Sequence, residues 1–394
     1  MRYRARTVLA LGLVSSLAVA AVACSSETTG GTGTGDSVSA AGTIAVAIGG
    51  EEVATEGIAW DPKGALHVTD GWEIKFEHVI VTAGKITVAE NPDKAPSDQS
   101  QTGAVVAEVA GPWAFDLHKE GPLPGAGGEG RAFALTTIAN QNKNGDEPFE
   151  ADQRYAFSYD TVVATGAAKR VNFDGDAETE TLYKEMITKG YSVLYVGTAT
   201  FKGTDCTTSD AAYDFAAIPT TVKFHFGFAT PVSSLNCQNQ ANQGDAFPNE
   251  EYQRGIPMLV NKASGAQLTY HLDHPFYSAV AHEPALFFGQ IAAQLAGKPA
   301  GTVVTTADLA KLDPTAFVDG AGKPLPWRVC DGSGLPASKQ MGFETGSVAV
   351  NPASTPDKAL RNYVDYMHYV QSTQGHLNGG AGLCFTRRNY ASPQ

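Results

Sequence analysis

Basic residues are scarce in this chain. Its 28 lysines and arginines stand against 41 aspartates and glutamates, a formal balance of −13. A nucleic-acid binder needs basic patches to neutralise phosphates, so that class is disfavoured, as is a basic face for a membrane surface. There is no Cys-x-x-Cys, which leaves neither a zinc ribbon nor a thioredoxin-like redox pair, and no Cys-x-x-Cys-His for covalent haem. A Gly-x-Ser-x-Gly elbow and a phosphate-binding glycine loop are also missing. Beyond the first 23 residues no apolar run approaches the roughly 20 needed to cross a bilayer.

What is present begins with an address. Arg2, Arg4 and Arg6 make a positive start, and residues 7–23 are small and apolar, the layout of a secretory signal. The run ends in Ala21-Val22-Ala23-Cys24, with a small residue directly before the cysteine. This resembles the lipobox of bacterial lipoproteins, with Ala21 standing where that family usually carries leucine. The resemblance implies cleavage before Cys24, diacylglycerol on its thiol and attachment to a membrane through lipid. Each buried acyl methylene contributes about 0.8 kcal/mol, so several chains hold firmly. Ser25 rather than aspartate directs such a protein to the outer membrane in bacteria that follow that sorting rule. Residues 25–41 are Ser, Thr, Gly and Ala with almost no large apolar side chain, which predicts a flexible tether.

The expected organisation is therefore a signal over 1–23, a lipidated cysteine and tether over 24–41, and a globular body over 42–394. A subdivision near 215 is the one candidate boundary within it. Cleavage removes three arginines and no acid, leaving 25 basic residues against 41 acidic. With 43% hydrophobic residues, 18 Phe and 14 Tyr, the body can bury a sizeable core. Cys24 accounts for the odd one of five cysteines. Cys206, Cys237, Cys330 and Cys384 remain as an even set, and two disulfides follow in an oxidising compartment. Three connectivities exist; sequential pairing, Cys206–Cys237 and Cys330–Cys384, closes the shorter loops and is expected on that ground.

Alternation of apolar and polar residues predicts a mainly β body, an antiparallel sandwich or barrel-like arrangement. Strands are expected near 43–48, 72–80, 104–109, 132–138, 155–163, 191–198, 222–228 and 267–273. In 72–80 the period places His78 on the face of Trp72, Ile74 and Phe76, as a hydrogen-bonded core histidine. Helical spacing appears in the C-terminal third, over 284–295 and from about Thr355 to Thr373.

Nine histidines occur, and His225, His271, His274 and His282 fall close together, with Asp273 between two of them. Imidazole and carboxylate suit zinc or copper when three or four converge. His225 sits opposite Phe224, Phe226 and Phe228, and His271 and Asp273 share one side of their strand. If the two strands were neighbours, His225 and His271 would share a polar face. The bland alternative is that these histidines are simply solvated and that Asp273 turns the chain before Pro275. Phe224-His225-Phe226-Gly227-Phe228 followed by Leu235-Asn236-Cys237 resembles a stretch of the methanobactin-associated periplasmic copper-binding proteins, which implies copper. The tryptophan-bearing segment of that family is absent, since no Trp lies between Trp113 and Trp327.

Other constellations read as structure. His376, followed by Gly379 and Gly380, suits a helix stop leading to the Cys384 bridge, although such glycines also let backbone approach a ligand. Oxygen-bearing residues alternate in 174–178 and 140–146, but neither completes a calcium loop. His282-Glu283 begins like a metalloprotease helix, yet Leu286 stands where the second histidine belongs. Two functions remain: a lipoprotein that handles copper or zinc through His225, His271, Asp273, His274 and His282, or a metal-independent module, structural or bound to a protein or small-ligand partner. A hydrolase is third, with no catalytic residue to nominate.

Overall fold

The structure, a computed structural model, describes residues 40–128, 130–279, 281, 283–314, 316–336 and 362–390. Cys24, the leader, most of the tether, His282 and the start of the helix expected near Thr355 lie outside the described residues.

The body is mainly β and sandwich-like, without a closed barrel. One five-stranded sheet runs in the order Gly375–Leu377, Ser264–Tyr270, Ile44–Gly50, Arg131–Ile138 and Leu123–Pro124. The larger sheet is built around Trp72–Ala89, an 18-residue strand that pairs with Val193–Phe201 along its first half and with Arg154–Thr161 along its second. Val193–Phe201 in turn pairs with Thr221–Phe228, so hydrogen bonding crosses position 215. Most pairings are antiparallel. Two of the longer exceptions are parallel: Ile44–Gly50 beside Ser264–Tyr270, and Thr221–Phe228 beside Val303–Thr305.

Phenylalanines on alternate positions do what their period predicts. Phe224, Phe226 and Phe228 are all buried. Phe224 meets Phe76, Phe276 and Phe288, with ring centroids 5.9–6.2 Å apart. Tilted and edge-on aromatic pairs of this kind bury large apolar areas and fix their neighbours' orientation.

Three expectations need correction. His78 does not share the face of Trp72, Ile74 and Phe76, because the register with Val193–Phe201 slips between Phe76 and His78. That bulge reverses the parity, so Val79 and Val81 continue the core face. His78 turns outward and pairs through Nδ1 with Asp116 at 2.7 Å, so the hydrogen bond is present but on the other side. Secondly, the helix expected over 284–295 begins only at Gly289. Leu286 instead makes bridges to Val68 and Tyr277, and the Asp70 carboxylate accepts from the backbone N–H of Phe288 and Gly289, starting the helix there. Thirdly, the disulfides join Cys206 to Cys330 and Cys237 to Cys384, not sequential partners. Loop closure costs grow only logarithmically with length, about 0.6 kcal/mol per doubling, and strand pairing easily outweighs that. Thr207–Thr208 pairs with Arg328–Val329, and Val232–Leu235 with Phe385–Arg388, bringing each bonded pair together.

Helices are not confined to the C-terminal third. Ala177–Lys189 begins at Asp176, whose Oδ1 accepts from the N–H of Glu178 and Thr179, while Lys119 pairs with its other oxygen at 2.6 Å. The alternating acids of 174–178 are thus the start of a helix.

Candidate metal centre

Two strand ends define the site. Ile44–Gly50 runs parallel to Ser264–Tyr270 with Gly50 opposite Tyr270. The residues that follow each strand therefore emerge side by side, and these are Glu51 and His271. His271 Nε2 stands 2.5 Å from Glu51 Oε1. On its other edge Ser264–Tyr270 pairs with Gly375–Leu377, placing Thr269 opposite His376. Tyr159 of the large sheet donates to the His376 carbonyl at 3.0 Å, which ties this short strand to the opposite layer.

After His271 the chain turns sharply through His274–Phe276, a 3₁₀ turn with Pro275 in its first positions. Phe276 is fully buried among Phe76, Phe224 and Phe288, so the turn is anchored in the aromatic core and His274 has little freedom. Its Nδ1 lies 3.0 Å from the carbonyl of Val370, in the helix Tyr363–Gln371. A carbonyl only accepts, so Nδ1 donates in this contact and carries a proton. A second-sphere carbonyl fixing a ring's tautomer and orientation is the usual arrangement behind a metal-ligating histidine.

His271, His274 and His376 each offer one ring nitrogen to a group whose members lie within 4.8 Å of one another. His271 stacks on His376 at 4.0 Å between centroids, and His274 meets both edge-on at 5.5 and 6.1 Å. His376 is buried, and its Nδ1 has no hydrogen-bond partner among the described residues. Burial pushes its pKa well below the ordinary histidine value, His271 and His274 push the same way, and the backbone of Gly380 and Thr373 opposes them. It is therefore a neutral imidazole, the form that ligates. Asp273 is buried beside them, with Oδ1 3.9 Å from His271 Nδ1. Burial raises its carboxyl to about 6; His271 pulls it down, while Glu51 and Glu283 add to the rise.

Gly380 completes the enclosure. A Cβ built there would lie 2.6 Å from His271 Nε2 and 2.7 Å from Glu51 Oε1, so only glycine allows this close approach. Beyond His271 and Asp273 opens a cleft of about 610 Å³, whose walls also carry Glu51, Glu52, Glu283 and Asp331 and, among the described residues, no lysine or arginine.

Three imidazoles with two adjacent carboxylates match the donor set of zinc or copper(II). A tetrahedral ion with bonds of about 2.0–2.1 Å needs nitrogens about 3.4 Å apart, so the rings must close in and His271 must tilt off His376.

Of the residues expected to ligate, His271, Asp273 and His274 come together. His225 does not join them. Its strand lies in the other sheet, and its Nε2 meets Glu185 of the helix Ala177–Lys189 at 3.1 Å. The polar face expected for His225 exists, but the strand adjacency does not. His376 and Glu51, which the structure brings beside His271, are not among the ligands expected from the sequence. A histidine set among Gly375, Leu377 and two further glycines carried a signal of burial, whereas Glu51 depends on a parallel pairing that no local pattern reveals. No family model, curated protein or solved structure matches the chain.

Proposed function

We propose that this is an exported lipoprotein, held on a membrane through lipid at Cys24, whose β body binds a copper or zinc ion through His271, His274 and His376. The observation that carries the reading is the convergence of three imidazoles from two distant segments, one of them a buried ring with an unpartnered nitrogen. A buried polar atom without a partner is costly, and a metal ion would satisfy it. Glu51 or Asp273 supplies a fourth donor or the hydrogen bond that orients His271. Ions reach the site through the acidic cleft, whose carboxylates raise the local concentration of cations. The lipobox, the basic leader and the Ser/Thr/Gly run support the anchor, and two disulfides fit an oxidising compartment.

The test is elemental analysis of protein prepared without a histidine tag, dialysed against copper or zinc, beside a His274→Ala/His376→Ala variant. About one equivalent in the parent and near none in the variant is the expected result. Equal and negligible metal in both would defeat the proposal and leave a metal-independent module.

A further inference from the structure

A second cavity, of about 330 Å³, shares no lining residue with the acidic cleft and has the opposite character. Trp72, Phe201, Phe215 and Ile218 wall it, and Arg328 supplies its one charge among the described residues. Its volume falls at the small end of the roughly 300–1,000 Å³ of ligand pockets.

Arg328 is held in an unusual way. Its guanidinium carbon lies 3.9 Å from the Phe201 ring centroid and 4.6 Å from that of Phe215, within cation–π range of both phenyl rings. The backbone beneath is pinned by pairing with Thr208 and by the neighbouring Cys206–Cys330 bridge. Contact with two rings restrains the guanidinium and leaves its N–H groups to make the polar contacts. Yet Nε is buried without a partner, and no carboxylate or carbonyl among the described residues takes up the guanidinium. Asp70, whose charge bears on Arg328, spends its oxygens on the N–H groups of Phe288 and Gly289 instead. The indole N–H of Trp72, in the same wall and fully buried, also has no acceptor among the described residues.

A cation set in aromatic walls, its guanidinium taken up by no carboxylate or carbonyl among the described residues, asks for a guest with an anionic head and a flat apolar body. We propose that this pocket binds a small organic anion of that kind, an aromatic carboxylate, with the carboxylate on the Arg328 edge and the ring among Trp72, Phe201 and Phe215. Bidentate capture of a planar carboxylate is what a fixed guanidinium does best.

Calorimetry on the full mature chain with benzoate tests this, with benzyl alcohol lacking the charge and acetate lacking the ring. Saturable benzoate binding is expected, with each analogue weaker by about tenfold or more, and a similar loss in Arg328→Gln. Ala216 is exposed at the pocket's rim, so Ala216→Trp should fold normally and close the mouth. That variant decides the matter if Arg328→Gln fails to fold. No benzoate binding, equal binding of benzyl alcohol, or benzoate binding unaffected by Ala216→Trp overturns the proposal.

Discussion

Single residues here owe their chemistry to burial more than to type. His376 and His368 are both buried histidines with pKa values pushed below the usual range, but only His376 stands among other ligands. For His368 burial dominates and lowers the value to about 4, against a small opposing pull from Asp365. The unfolded chain takes up this proton near pH 6.5 and the folded chain only near 4. The contribution is therefore fully present above pH 6.5 and lost as pH falls through 4. A shift of that size corresponds to about 3 kcal/mol. His368→Phe should flatten the fall in stability between pH 6.5 and 4, read from urea midpoints across that range; an unchanged slope would assign the acid sensitivity elsewhere. Asp70 and Asp273, both raised to about 6 by burial, act with the opposite sign. Their contribution is present below about 3.8 and lost as pH rises through 6, so the two effects partly cancel between pH 4 and 6.

At the scale of elements, the site depends on three placements. Parallel strand ends deliver Glu51 and His271, a core-anchored turn delivers His274, and a short edge strand delivers His376. The loop after that edge strand leans on the site through Gly380. Gly380→Ala should push His271 away from Glu51 and weaken metal binding by about 10–100-fold, the usual cost of a second-sphere defect, while the melting temperature of the metal-free protein stays nearly unchanged. Metal affinity equal to the parent's would show that the loop's approach is incidental. Elements are also where reading the sequence succeeded most. The alternation in 222–228 and 72–76 marks strands and their core faces because period two is a local property. The bulge after Phe76 is not local, since it depends on how the partner strand is registered. The late start of the helix at Gly289 likewise depends on a carboxylate more than 200 positions away.

For the whole molecule, the same division holds between what is local and what is not. His271, Asp273 and His274 lie within four positions, so their grouping was legible. His376 joins them from about a hundred positions on, through antiparallel pairing with Ser264–Tyr270, and His225 drops away because its strand joins another sheet. Disulfide connectivity failed for the same reason, since long-range strand pairing and not loop length decides which thiols meet. The leader and lipobox rest on local sequence alone. Cys24→Ser should therefore shift the protein from the membrane fraction to the soluble exported fraction, and mass spectrometry of the parent should find the lipid on the peptide that begins at Cys24. A parent already soluble, or a mature chain retaining residues before Cys24, would contradict the anchor.

The most direct measurement on the central claim locates the ion itself. Crystals of chelator-stripped protein soaked with copper or zinc, recorded at the metal's absorption edge, should give one dominant anomalous peak about 2.0–2.1 Å from a ring nitrogen of each of His271, His274 and His376. A dominant peak elsewhere, or none above background with His271 still stacked on His376, would contradict it.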